Sequence, residues 1–147
     1  MENDHRCIAT IRNAREKRAK DDLVIHFKRY TLTKSYDEFL NLADELTSLE
    51  ISDQKGNTPL HWTMMDAQDG FKKFQYLIKR DNQLLRLHNN IQNRPIHIAA
   101  RHNDKRFLQS ILSLNIYVNI NTIGHRARTP LHMASFKGDL DLVDMLL

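Results

Sequence analysis

Histidine titrates nearest to neutral pH and is the commonest metal ligand. This chain of 147 residues carries eight: His5, His26, His61, His88, His97, His102, His125 and His132. Zinc or acid–base chemistry is therefore the first possibility to weigh. A helical zinc pair needs ligands at i and i+4, on one face. His97 and His102 are five apart and miss that register. Cys7 is the only cysteine, which excludes an internal disulfide and a thiolate metal set. There is no HExxH, phosphate-binding GxxxxGK[ST], GxSxG or calcium loop. Asp21–Asp22 and Asp37–Glu38 read as solvated helix positions, not as acid–base pairs. The expectation is a non-enzyme with no catalytic residue, no metal and no cofactor.

The histidines repeat instead. Thr58-Pro59-Leu60-His61 recurs as Thr129-Pro130-Leu131-His132 and, altered, as Arg94-Pro95-Ile96-His97. The motif histidines are 36 and 35 residues apart. One further step back, of 35, reaches His26 in Leu23-Val24-Ile25-His26, which lacks Thr and Pro. Apolar residues after each His recur too: Leu142, Val143, Leu146 and Leu147 share their offsets with Phe107, Leu108, Ile111 and Leu112. Phe74, Leu77 and Ile78 lie two residues later, an insertion shared by the first two copies.

These residues need a particular scaffold. Thr caps a helix and Pro suits its first turn, because the missing N–H had no partner there. The apolar spacing that follows predicts a second helix, beginning near Leu140 in the last copy. Gly56 and Gly124 suit turns into the next unit. In the third copy Arg94 replaces the Thr, weakening that cap by about 1 kcal/mol. A fixed period of this size means a solenoid.

Thr-Pro-Leu-His at this period, with Gly-Asp-Leu-Asp-Leu-Val-Asp-Met-Leu-Leu at 138–147, resembles the ankyrin repeat. The resemblance implies an all-α solenoid of helix–turn–helix repeats with β-turn fingers. About four repeats are expected, at 23–52, 53–88, 89–123 and 124–147, the first degenerate and the last truncated. Residues 1–22 form a basic helical extension. Motif residues with structural roles are His26, Thr58, Pro59, His61, Pro95, His97, Thr129, Pro130 and His132.

A narrower resemblance rests on residues 85–99, Leu-x-x-x-Asn-x-x-Gln-x-x-Pro-Ile-His-Ile-Ala, and on the longer early repeat. Both resemble the I-kappa-B proteins, whose ankyrin stack lies along a Rel/NF-κB dimer, masks its nuclear localisation segment and blocks transcription. No serine stands in an Asp-Ser-Gly phosphodegron and no acidic stretch follows the repeats. That architecture is similar to the I-kappa-B-like viral ankyrin proteins of polydnaviruses. It implies an inhibitor of host Rel factors, suppressing host immunity and not removed by signalling. The alternative is a generic ankyrin adaptor that recruits another host protein.

In ankyrin stacks partners meet the fingers and the concave face of the first helices. By that resemblance the partner-binding candidates are Asp53, Gln54, Lys55, Asn57, Asn90, Gln92, Arg94, His125 and Arg126 on fingers. Trp62, Met65, Arg101, His102 and Phe136 are the candidates on helices. Trp62 is either packing, the commoner use, or an interface anchor.

Hydrophobic residues are 41% and charged residues 27%, the composition of a folded domain. No apolar run nears the ~20 residues of a membrane span, and the first residues form no signal peptide. Host cytoplasm is expected, with the nucleus as a second compartment. Net charge is +4. This excess means either solubility or an anionic partner. Direct nucleic-acid binding is disfavoured, because aromatics are not interleaved with the cations. Residues 11–20 are basic and read as a solvated cap, with Ile8 and Ile11 packing inward, more than as a nuclear signal. The last repeat's apolar helix predicts self-association.

Overall fold

The computed structural model describes residues 2–66, 68–114 and 118–147, with side chains from residue 14 onward. The described residues form helices and turns, with no strand. Four helix pairs follow one another along the chain. They are α1 Glu2–Thr33 with α2 Tyr36–Glu45, α3 Pro59–Thr63 with α4 Gly70–Arg80, α5 Pro95–Ala99 with α6 Arg106–Leu112, and α7 Pro130–Lys137 with α8 Leu140–Leu146. First helices stack in series, α1 on α3, α3 on α5 and α5 on α7. Among second helices, α2 packs on α4 and α4 on α6. This is the helical solenoid expected from the repeat.

Local sequence accounts for each start. Pro59, Pro95 and Pro130 occupy the first turns of α3, α5 and α7. Ser35 caps α2, and Asp37 and Glu38 in its first turn complement the positive end of the helix dipole. Asp139 caps α8, accepting from the Asp141 and Leu142 backbone N–H groups. α7 ends on Gly138 at φ 78°, a left-handed turn where Gly carries no steric penalty.

The core runs continuously through the stack. Phe27 of α1 stacks on Phe39 of α2 at 5.6 Å and meets the edge of Trp62 at 6.3 Å. Phe107 of α6 packs edge-on against Phe74 of α4 at 5.0 Å. Such offset and edge-to-face pairs suit the ring quadrupoles.

Two cations of α4 fasten the first pair to the second. Lys73 is fully buried, and its ammonium donates to the carbonyls of Thr31 at 2.9 Å and Lys34 at 2.6 Å, and to Asp66 at 2.5 Å. Arg80 donates to the carbonyls of Ala43 and Leu46. Each cation thus binds carbonyls at a helix C-terminus, where the dipole favours positive charge.

The first repeat departs from expectation. The boundary drawn between residues 22 and 23 falls inside α1, which runs unbroken from Glu2 to Thr33. His26 is not a motif histidine: it is exposed, with its ring 4.6 Å from that of Tyr30. The buried residues Val24, Phe27 and Thr31 follow i, i+3, i+7 and place His26 off the core face. Without Thr-Pro, nothing starts a new helix there. The expected inward packing of Ile8 and Ile11 lies outside the described side chains.

Candidate functional site

The motif histidines join each repeat to the next. His61 Nδ1 accepts the Thr58 backbone N–H at 3.2 Å, which puts the ring proton on Nε2. Nε2 then donates to the Asn93 carbonyl at 3.0 Å, one repeat on. His97 does the same, from the Arg94 N–H to the Thr122 carbonyl. Burial depresses the pKa of both rings, outweighing the carbonyls that favour the proton. Neutral imidazole is the state these bonds require. His132 keeps the bond from the Thr129 N–H at 3.0 Å but is itself exposed.

The fingers are turns closed by their first residue. Asp53 Oδ1 accepts the N–H groups of Lys55 and Asn57, both at 2.9 Å, and Asn89 Oδ1 accepts those of Ile91 and Asn93. The fourth position is left-handed in all three: Gly56 at φ 75°, Gln92 at 65° and Ala127 at 56°. At Gly56 a Cβ would also lie 2.4 Å from Asn90 Oδ1. Neighbouring fingers are tied together by Asn90 N–H to the Lys55 carbonyl at 3.0 Å and by Asn89 Nδ2 to Asn57 Oδ1 at 3.0 Å.

Several expected contact residues are thereby spent inside the fold. Of the two uses open to Trp62, packing is the one found, which removes it from the partner-binding candidates: it is 0% exposed and donates its indole N–H to Asp53 at 3.1 Å. Burial raises the Asp53 pKa, but Lys28 at 2.6 Å, the Asn57 N–H and the Trp62 indole together hold it lowered. Asn57 is buried. Arg94 forgoes the cap and bridges the Arg86 carbonyl and Thr122 Oγ1. His102 Nδ1 accepts the Asp104 N–H, so Nε2 donates back to the Met64 carbonyl at 2.8 Å. The accessible remainder is Gln54, Lys55, Asn90, Gln92 and Arg126 on fingers, Phe136 on α7, Met65 and Arg101 in the turns just after α3 and α5 and not on the helices as expected, and a half-buried His125.

Met65, Arg101 and Phe136 share one repeat position, four residues after each motif His. The next position binds back along the same face, His102 to the Met64 carbonyl and Lys137 to the His102 carbonyl at 3.0 Å. The Arg128 guanidinium, at the base of the third finger, stands 5.6 Å from the Phe136 ring centroid. Finger and helix positions therefore form one surface. Sequence reasoning missed Ile91 and Ile123 there, 50% and 58% exposed. The available signal was an isoleucine in an otherwise polar finger, where no core spacing requires one.

Among the described residues, no group of three or more His, Cys, Asp or Glu is placed to hold a metal ion. No described helix is long and apolar enough to cross a membrane. The geometry is that of a scaffold for protein contacts, and such stacks typically bind without catalysing. The family model for ankyrin repeats (3 copies) matches residues 64–147, which begin just after α3 and take in every helix from α4 to α8. With its repeat-to-repeat histidine bonds and linked fingers, this chain belongs to the ankyrin-repeat proteins, a family of protein–protein interaction modules.

Proposed function

We propose that the chain is an I-kappa-B-like inhibitor that binds and sequesters a host Rel/NF-κB factor through its ankyrin stack, in the manner of the polydnavirus proteins. The observation that carries this reading is the run at 85–99, whose Asn89 and Gln92 build the second finger and leave its tip beside Gln54 and Lys55. The serines at 35, 48, 52, 110, 113 and 135 include none in an Asp-Ser-Gly context; that the inhibitor outlasts immune signalling is part of the same proposal. Retention of Rel in the host cytoplasm, with the nucleus as a second compartment, belongs to the same reading. The test is co-precipitation of the purified protein with each candidate Rel homology domain from insect cells. A saturable complex at micromolar protein is expected; no complex with any of them would sink the proposal.

A generic adaptor is the second reading, favoured by the cationic character of the finger surface, which suits anionic partners of many kinds. Mass spectrometry of cross-linked partners separates the two. Rel peptides dominate under the first reading and are absent under the second.

A further inference from the structure

The surface formed by fingers and first helices has a lopsided chemistry. Its two carboxylates in the second to fourth repeats are internally matched: Asp53 by Lys28 at 2.6 Å and Asp66 by Lys73 at 2.5 Å, with side chains 9% and 6% exposed. Lys55, Arg101 and Arg126 face solvent on the same surface, and in the second to fourth repeats no exposed acid stands among its finger and first-helix positions; the exposed Glu16, Asp21 and Asp22 lie on α1. The acids of the later repeats sit elsewhere, as at Asp139, Asp141 and Asp144 on and before α8. Apolar groups are interleaved with the cations: Met65 is 53% exposed, Ile91 50% and Phe136 79%. Exposed apolar side chains collected among like charges mark a contact site more than a solubility surface.

From this the geometry points to one kind of occupant: an acidic, extended segment of a partner protein that carries aliphatic or aromatic anchors between its carboxylates. The carboxylates pair with Lys55, Arg101 and Arg126, and the anchors cover Met65, Ile91 and Phe136. Arg is suited to this, because its planar fork binds a carboxylate bidentately and stacks on rings. A nucleic-acid backbone satisfies the cations but offers nothing to aliphatic groups such as Ile91. The inference goes beyond the Rel reading, since it specifies the segment bound whatever protein carries it. If Rel is the partner, the segment on this surface is acidic, and Rel's basic localisation segment is not what lies here.

Fluorescence anisotropy with the full chain tests this. The probes are a labelled peptide repeating Glu-Leu-Glu-Phe, an equally charged peptide repeating Glu-Ser, and a labelled single-stranded oligonucleotide. The Glu-Leu-Glu-Phe peptide binds at least tenfold more tightly than either of the others. R101E combined with R126E abolishes that binding, F136A weakens it several-fold, and R101K with R126K, which keeps the charge but loses the bidentate fork, weakens it less than the charge reversal does. These side chains are exposed, and unchanged thermal melts verify that the variants fold. Absence of binding by the Glu-Leu-Glu-Phe peptide, equal binding of Glu-Ser, tighter binding of the oligonucleotide, or indifference to R101E with R126E each overturns the inference. Co-precipitation with Rel can fail while this peptide binds, so the two proposals are judged separately.

Discussion

At the scale of single residues, the buried pair His61 and His97 gives a pH dependence. Burial keeps His61 and His97 below the free-histidine value of 6.5, whereas the unfolded rings take up protons at that value. Their contribution to stability is therefore complete above pH 6.5 and is lost as pH falls toward their folded pKa values. Denaturant unfolding followed from neutral to mildly acidic pH should show this slope, and H61Q with H97Q should flatten it. His97→Leu strands the Arg94 N–H and the Thr122 carbonyl, so it should cost about 1–3 kcal/mol at neutral pH. The finger turns give a second residue-level expectation. Gln92 and Ala127 hold a left-handed conformation that costs non-glycine residues roughly 1–2 kcal/mol. Gln92→Gly and Ala127→Gly should each stabilise the fold by up to about 1 kcal/mol, the gain tempered by glycine's entropy when unfolded. Gly56→Ala should destabilise it, because the new Cβ would strike Asn90. Midpoint shifts in one denaturation series check all three.

At the scale of elements, α4 decides how the first helix pair is held. Its Lys73 joins Asp66 to the carbonyl end of α1 without access to water. Lys73→Met removes the cation and leaves Asp66 a buried, uncompensated charge, at a cost of about 3–5 kcal/mol. Adding Asp66→Asn should recover a large part of that loss, since a neutral amide is much cheaper to bury. A double-mutant cycle by urea unfolding measures it, and simple additivity would contradict the pairing. Neither partner was identifiable in sequence. Lys73 lies in "FKKFQYLIKR" beside the exposed Lys72, and only helix rotation against α1 distinguishes the two.

At the scale of the whole molecule, each repeat leans only on its neighbours, so stability is close to a sum of repeat and interface contributions. The segment 14–23 of α1 is exposed throughout, while α3 and α5 are packed on both sides. Hydrogen exchange should therefore show fast exchange over 14–23 and the strongest protection in α3 to α5. Equal protection along the chain would show that α1 is held by contacts outside this stack.

The period of the motif histidines, the prolines that open α3, α5 and α7, and the offsets of Phe107 and Leu142 determined the repeat architecture from sequence alone. These are local requirements: a capped helix start and an apolar stripe follow from residue type and spacing. Other features needed the tertiary structure, because they depend on what a side chain meets far along the chain. Trp62 and Asp53 turned inward because Lys28, from α1, arrives beside them. His26 fell out of the motif because α1 had no Thr-Pro to interrupt it. The binding surface was legible as a set of repeat positions. Which of those positions face solvent, Ile91 and Phe136 among them, was decided only when the stack brought the fingers and first helices onto one side.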